Sequence, residues 1–216
     1  MGIKERKERE KIQRQQDIIE AAVKLFFTKG IQETTMEDIA EEVELSKGTL
    51  YLYFKSKEEI KYEVALRGIN LLKSVMEKAI DISLNAMENL VRVGWAFIDF
   101  SRENTAYFNL FILFQSSDLH KMNIPKMSID QYLREESPFT ILINLVKDGV
   151  KDGSLRPNLR IGETAATLWS QMLGLLIVQQ NKKEFYEIFE VKEESILATN
   201  FDLLLYGIAG DKKNNL

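Results

Sequence analysis

Residues 34–57 read TTMEDIAEEVELSKGTLYLYFKSK. Thr35 is a good helix N-cap, and Asp38 three residues later supplies the reciprocal half of a capping box. Ile39, Ala40 and Val43 recur at helical spacing, and Ala40 is small enough for two helices to pack closely. Glu44-Leu45-Ser46 forms a tight turn with Leu45 buried at its corner. Ser46 caps a second short helix, Lys47 to Tyr53, in which Leu50 and then Phe54 face the core. Lys47, Thr49, Tyr51 and Tyr53 are left mostly outward. At barely two turns, this helix must be held by packing. Gly48 within it costs about 1 kcal/mol relative to alanine, which suits a surface that must come close to something else. Ser56 and Glu59 then form a capping pair for the helix that follows.

Working outward, the apolar residues recur at three and four and never alternate over a run, so the chain is expected to be all-α. Before the quoted stretch, a helix is expected from about Glu5 to Lys29. Its apolar stripe is Ile18, Ile19, Ala22, Val23, Leu25 and Phe26, and Gly30 closes it. Its first three turns are polar all round, with Glu5–Arg9 and Glu10–Arg14 spaced as i,i+4 pairs. After the stretch, helices are expected over about 57–79, 84–102, 104–117, 137–153, 161–181 and 192–208, making about nine in all. Ser137-Pro138 reads as an N-cap followed by proline at the first helical position. Residues 117–136 read as a connection with a short helix inside it.

Composition narrows the function. There is no cysteine and one histidine, His120, with Asp118 nearby. That excludes disulfides and thiol chemistry and leaves no convincing metal site. No nucleophile elbow and no phosphate-binding glycine loop occurs, so no catalytic site is nominated and no cofactor is expected. The charged N-terminus lacks the apolar core of a secretory signal. No contiguous apolar run approaches the roughly 20 residues of a membrane span, Met172 to Val178 being the longest, so no membrane is expected and the cytoplasm is the natural compartment.

The net charge is −4 and the sequence pI about 5.3, which alone argues against a nucleic-acid partner. The charge is unevenly placed, however. Lys4, Arg6, Lys7, Arg9, Lys11 and Arg14 face only Glu5, Glu8 and Glu10 in the first stretch. Lys47, Lys55 and Lys57 stand without an acid over residues 46–57. Between these basic groups lie Glu33, Glu37, Asp38, Glu41, Glu42 and Glu44. Local charge of this kind decides affinity for phosphates more than the whole-chain sum does.

Ile18-Ile19-x-Ala-Ala, Leu25-Phe26, Gly30, Thr34-Thr35, Ile39-Ala40, Leu45-Ser46-x-Gly48-Thr49-Leu50-Tyr51-x-Tyr53-Phe54 and Ser56-Lys57-Glu58 together resemble the TetR family of bacterial transcriptional regulators. The resemblance covers about residues 15–60. Val43 stands where the family usually has alanine, and Glu44 where it usually has the turn glycine. If position 44 takes a positive φ, glutamate there costs roughly 1 kcal/mol. The resemblance implies an N-terminal three-helix bundle with a helix-turn-helix over residues 1–57 and a helical ligand-binding and dimerisation domain over 58–216. It implies a palindromic double-stranded DNA operator as partner, with Thr35, Lys47, Gly48, Thr49, Tyr51, Tyr53 and Lys57 as the contact set. It also implies a homodimer through the eighth and ninth expected helices, commonly acting as a repressor.

The body carries no motif of comparable strength. Its aromatics exceed what one helix face can hold, so Trp95, Phe100, Tyr107, Phe111, Phe114, Met122 and Trp169 are expected to line a cavity for a small, largely apolar effector. Arg102, Asn109, Gln115 and Gln171 could anchor a polar end. The eighth expected helix is apolar nearly all round and should be buried on two sides. Two rival readings are an enzyme acting on an apolar substrate and a helical protein–protein adaptor whose small domain has lost DNA binding. The acidic second helix and Glu44 are what suggest the adaptor.

Overall fold

The computed structural model describes residues 2–116, 137–181 and 183–210. These form ten helices: α1 (Ile3–Thr28), α2 (Met36–Glu42), α3 (Lys47–Tyr53), α4 (Lys57–Ala79), α5 (Ala86–Glu103), α6 (Thr105–Ser116), α7 (Phe139–Asp152), α8 (Ile161–Asn181), α9 (Lys183–Ile188) and α10 (Glu193–Ile208). Among the described residues there is no strand, only an isolated antiparallel bridge between Leu155 and Ala209. The chain is therefore all-α, as its periodicity requires. The short helix α9 was not expected, and the connection over 117–136, with His120 and Asp118, lies outside the described residues.

Packing gathers these residues into two compact units, 2–69 with 104–116 and 70–103 with 137–210. The boundary expected at residue 57 falls at the first residue of α4, whereas this grouping divides α4 itself.

In the first unit Ile18, Ala22, Phe26, Ile39, Ala40, Leu50, Phe54, Ile60 and Val64 are buried, so α1 to α4 share one apolar core. The first half of α1 is different. Residues 4–14 are exposed throughout, so the basic arm is a solvated helix of about 17 Å. Its pairs are not the expected ones. Arg6 meets Glu10, Arg14 meets Asp17, and Glu5 instead accepts from the Gly2 amide. Gly30 ends α1 at φ +97°, and its amide donates to the Leu25 carbonyl. On the far side Tyr107 of α6 packs edge-on to Phe27, ring centroids 6.0 Å apart. The same tyrosine fills the space over Gly68, where an added Cβ would meet its ring at 2.8 Å.

In the second unit α5, α7 and α8 pack about a core that includes Val93, Phe97, Ile98, Leu145, Val146 and Met172. Phe97 stacks on Trp169 at 5.2 Å. Asn89 is buried and ties the turn before α5, accepting from the Asp81 amide and donating to the Asp81 and Leu84 carbonyls. Pro138 is the N-cap of α7, so the helix starts one position later than expected, and Gly153 closes it at φ 80°. The stretch just beyond α10 is pinned to the turn after α7, where Arg156 N–H donates to Ile208 O and Gly210 N–H to Ser154 O.

Helix α8 departs from expectation twice. Residues 161–180 have a mean hydropathy of 1.3, so this helix is long and apolar enough to cross a membrane by length and composition. Counting contiguous apolar residues missed it because Glu163, Thr164, Thr167, Ser170 and Gln171 break the run, although only Glu163 among them is charged. It is also not buried on two sides: only 17% of its apolar window is buried within the chain.

Glu44 sits at φ 54°, the left-handed conformation that costs a non-glycine residue about 1 kcal/mol. The turn is nonetheless regular, with Glu44 N–H on Glu41 O and Leu45 N–H on Ala40 O. Glu44→Gly should relieve the strain at some cost in chain entropy and raise the melting temperature by about 1–4 °C. An unchanged or lower value in a thermal melt would show that position 44 carries no strain.

Candidate nucleic-acid interface

The residues expected to meet DNA lie on α2, α3 and the start of α4, within the first unit. Thr35 is exposed and caps α2: its Oγ1 accepts from Asp38 N–H at 3.1 Å, while Asp38 Oδ2 accepts from Thr35 N–H at 2.7 Å. The Thr35 hydroxyl proton is left available to an outside acceptor. Ser46 Oγ accepts from Thr49 N–H at 3.1 Å and also meets Thr49 Oγ1 at 2.8 Å. Leu50 is fully buried, which turns Gly48 and Leu52 outward and leaves Thr49, Tyr51 and Tyr53 half-buried.

None of the three lysines near α3 is unengaged. Lys47 pairs with Glu37 across the α2–α3 corner. Lys55 donates to the Tyr51 carbonyl at 2.9 Å, at the C-terminal end of α3. Lys57, expected at a phosphate, instead turns onto the loop before α2. Its Nζ donates to the carbonyls of Ile31, Gln32 and Thr34 at 3.2, 3.1 and 2.9 Å. An ammonium has three protons, and all three have partners here. In this geometry Lys57 fixes the loop that presents Thr35.

The acids of α2 are largely neutralised from within. Lys24 meets Glu42 at 2.5 Å, Lys29 meets Asp38 at 2.6 Å, and Lys47 takes Glu37. The Lys47 contact lowers the Glu37 pKa and raises that of Lys47. On the arm, Lys4, Lys7, Arg9 and Lys11 have no ion-pair partner among the described residues. The surface thus offers hydroxyls, phenols and unpaired cations around a short exposed helix. That is the chemistry of phosphate and base-edge contacts.

Residues 18–64 match the family model described as bacterial regulatory proteins, tetR family. The chain is 28% identical over 148 residues to the "uncharacterized HTH-type transcriptional regulator YhgD" of Bacillus subtilis (strain 168), covering 68% of this chain and 74% of that protein. It is 24% identical over 148 residues to the "HTH-type transcriptional repressor KstR2" of Mycolicibacterium smegmatis, covering 68% and 70%. Over residues 18–64 the chain is of the TetR family. It is a DNA-binding transcriptional regulator and not an enzyme. The TetR fold extends through the body as well. A structure of the "ketosteroid transcriptional regulator KstR2" of Mycobacterium tuberculosis superposes with a TM-score of 0.63 at 18% identity, covering 92% of this chain and 96% of that one.

The second unit holds a cavity of about 50 Å³ with an apolar lining. Met76, Val93, Phe97, Leu142, Trp169, Met172 and Phe201 are among its walls. Of the expected lining, Trp169 alone among the described residues is part of it. Trp95 is 39% exposed and stacks on Phe201 at 5.1 Å. Phe100 is buried elsewhere in the same unit, and Tyr107 and Phe111 are buried residues of the first unit. Met122 and the side chain of Phe114 lie outside the described residues. Arg102, Asn109 and Gln171 do not line the cavity. Sequence reading favoured aromatics on expected helices, whereas the cavity is walled mostly by leucine, methionine and valine, whose pattern cannot be told from ordinary core.

The Asp38 carboxyl is held down from 3.8 to about 2, first by Lys29 and then by the Thr35 amide. Its folded pKa lies below the unfolded one, so its contribution is complete above about pH 4 and is lost as pH falls toward 2. In acid titrations followed by circular dichroism, Asp38→Asn should lower stability at neutral pH and flatten the loss of stability between pH 4 and 2. Parallel wild-type and variant curves would show that Asp38 does not cap α2.

Proposed function

We propose that the protein is a homodimeric repressor that binds a palindromic operator and is released by a small, largely apolar ligand. Thr35, Lys47, Gly48, Thr49, Tyr51 and Tyr53 contact DNA in this reading, and Lys57 positions the loop before them. The observation that carries the assignment is α3 itself: a short capped helix with one buried leucine and an otherwise accessible surface, flanked by cations that can exchange internal partners for phosphates. The adaptor alternative loses one of its two motives, because most of the acidity of α2 is matched by Lys24, Lys29 and Lys47. A cytoplasmic location follows from the same function.

Pairing is supported by α8 and α10, the eighth and ninth helices expected from sequence. Val178 on α8 and Leu203 and Tyr206 on α10 are exposed, the last two by 71% and 91%. Covering such a face with its own copy makes a two-fold four-helix contact. It also supplies two recognition helices for half-sites about 34–36 Å apart, or a multiple of that. Release by ligand is supported by the apolar cavity. The structurally similar KstR2 is named a ketosteroid transcriptional regulator, so a bulky apolar ligand is the first class to screen. Ligand cavities usually hold ~300–1,000 Å³, so at about 50 Å³ this one must widen to admit such a molecule. The ligand then acts by favouring the widened state.

Binding to the DNA upstream of the protein's own gene, measured by fluorescence anisotropy across salt concentrations, tests the central claim. Affinity should fall with a log–log slope of about −0.9 per phosphate neutralised, and Tyr51→Ala should weaken binding. No specific binding at low salt by either protein would end the reading. Leu203→Glu places a charge on the proposed pairing face without touching the core. It should sediment as a monomer and lose operator affinity at least tenfold. A Leu203→Glu dimer would remove α10 from the interface.

A further inference from the structure

We infer that Leu52 reads a thymine methyl in the operator, seated beside a close approach of the DNA at Gly48. This rests on the DNA-binding reading and extends it to a residue outside the expected contact set. Leu50 is 0% exposed and fixes the inner side of α3. At about 100° per residue, Gly48 and Leu52 lie about 160° and 200° round from it, so both point directly away from the core. They are four apart and therefore neighbours on one face. Leu52 is 73% exposed.

A single exposed leucine is ordinary on a protein surface. Gly48 is what makes this one informative. It has helical backbone geometry and no positive φ. A Cβ built on it meets only Ser46 Oγ, at 3.9 Å, which is ordinary contact. Nothing in the fold requires glycine there, although glycine weakens a helix that is already short. The missing side chain therefore makes room for something outside the chain. A partner admitted against Gly48 meets Leu52 next, and the apolar group exposed on base edges in the major groove is the C5-methyl of thymine. Thr49, the other residue of α3 with a methyl group to offer, is half-buried and holds Ser46.

The test uses the full-length protein and an operator selected by it from a random duplex library. Each thymine of that operator is replaced in turn by deoxyuridine, which lacks only the methyl. At one thymine in each half-site, wild type should lose about fourfold in affinity per methyl removed, while Leu52→Ala should bind both duplexes equally. Leu52→Met keeps an apolar tip and should retain the response. Gly48→Ala should melt at or above the wild-type temperature and yet bind every sequence at least tenfold more weakly. If no position distinguishes wild type from Leu52→Ala, or if Gly48→Ala binds as wild type does, the inference fails while the DNA-binding reading stands. Failure of wild type to select any sequence removes both.

Discussion

A seven-residue helix has almost no stability of its own, so the orientation of α3 depends on the burial of Leu50. That side chain, with Phe54 just beyond the helix, joins the apolar core shared with α1, α2 and α4. Ser46 caps one end of α3, and Lys55 donates to the Tyr51 carbonyl in its last turn. Lys57 then ties the start of α4 to the loop before α2 through three carbonyls, which places Thr35 relative to α3. Each outward residue of the reader is outward because Leu50 is inward. Reversing that one choice would turn Gly48 and Leu52 toward the core and leave no reading face.

The same unit resolves the apparent conflict between an acidic chain and a polyanionic partner. Helix α2 is acidic, but its carboxylates are matched by lysines from α1 and α3. Exposed pairs of this kind contribute little to stability, about 0–1 kcal/mol each, so they can be given up at modest cost. Lys47 is the instructive case. Glu37 stabilises its charge in the free protein, and a phosphate would have to replace that carboxylate. The internal pairing lowers the repulsion that α2 would otherwise present and, by occupying Lys47, lowers the attraction too. A single reader should therefore hold DNA loosely, and in the proposed dimer the unpaired cations of the α1 arm and a second copy would supply the rest.

How far the sequence could be read follows the range of the interactions. Capping boxes, the Gly30 terminus and the spacing of Ile39, Ala40 and Leu50 are local, and they located α2, α3 and α4 to the residue. The left-handed Glu44 was legible as a question, since glutamate stood where glycine was expected. The internal partners of Lys57 were not legible because its carbonyl acceptors lie 23 to 26 residues away in sequence. Leu52 was passed over because composition drew attention to hydroxyls and cations, and the wheel angle from Leu50 was the signal that could have found it. The cavity lining was the least legible part. Phe97, Leu142, Trp169 and Phe201 come from four helices, and no spacing within one of them records that they meet.

The second unit carries a constraint of its own. Helices α8 and α10 each turn one face to the cavity and another to solvent. Leu168, Trp169 and Met172 of α8, and Phe201, Leu204 and Leu205 of α10, line the cavity. Val178, Leu203 and Tyr206 stand on the open side of the same two helices. The walls are close-packed, so a molecule larger than the cavity cannot enter without displacing at least one of them. Where the displaced wall is α8 or α10, the pairing face moves with it. A ligand and a second copy would then act on the same two helices from opposite sides, and the free energy that widens the cavity would be felt in the geometry of the pair. Such coupling is reciprocal: a pairing arrangement that favours the narrow cavity must weaken ligand binding by the same factor as ligand weakens that arrangement.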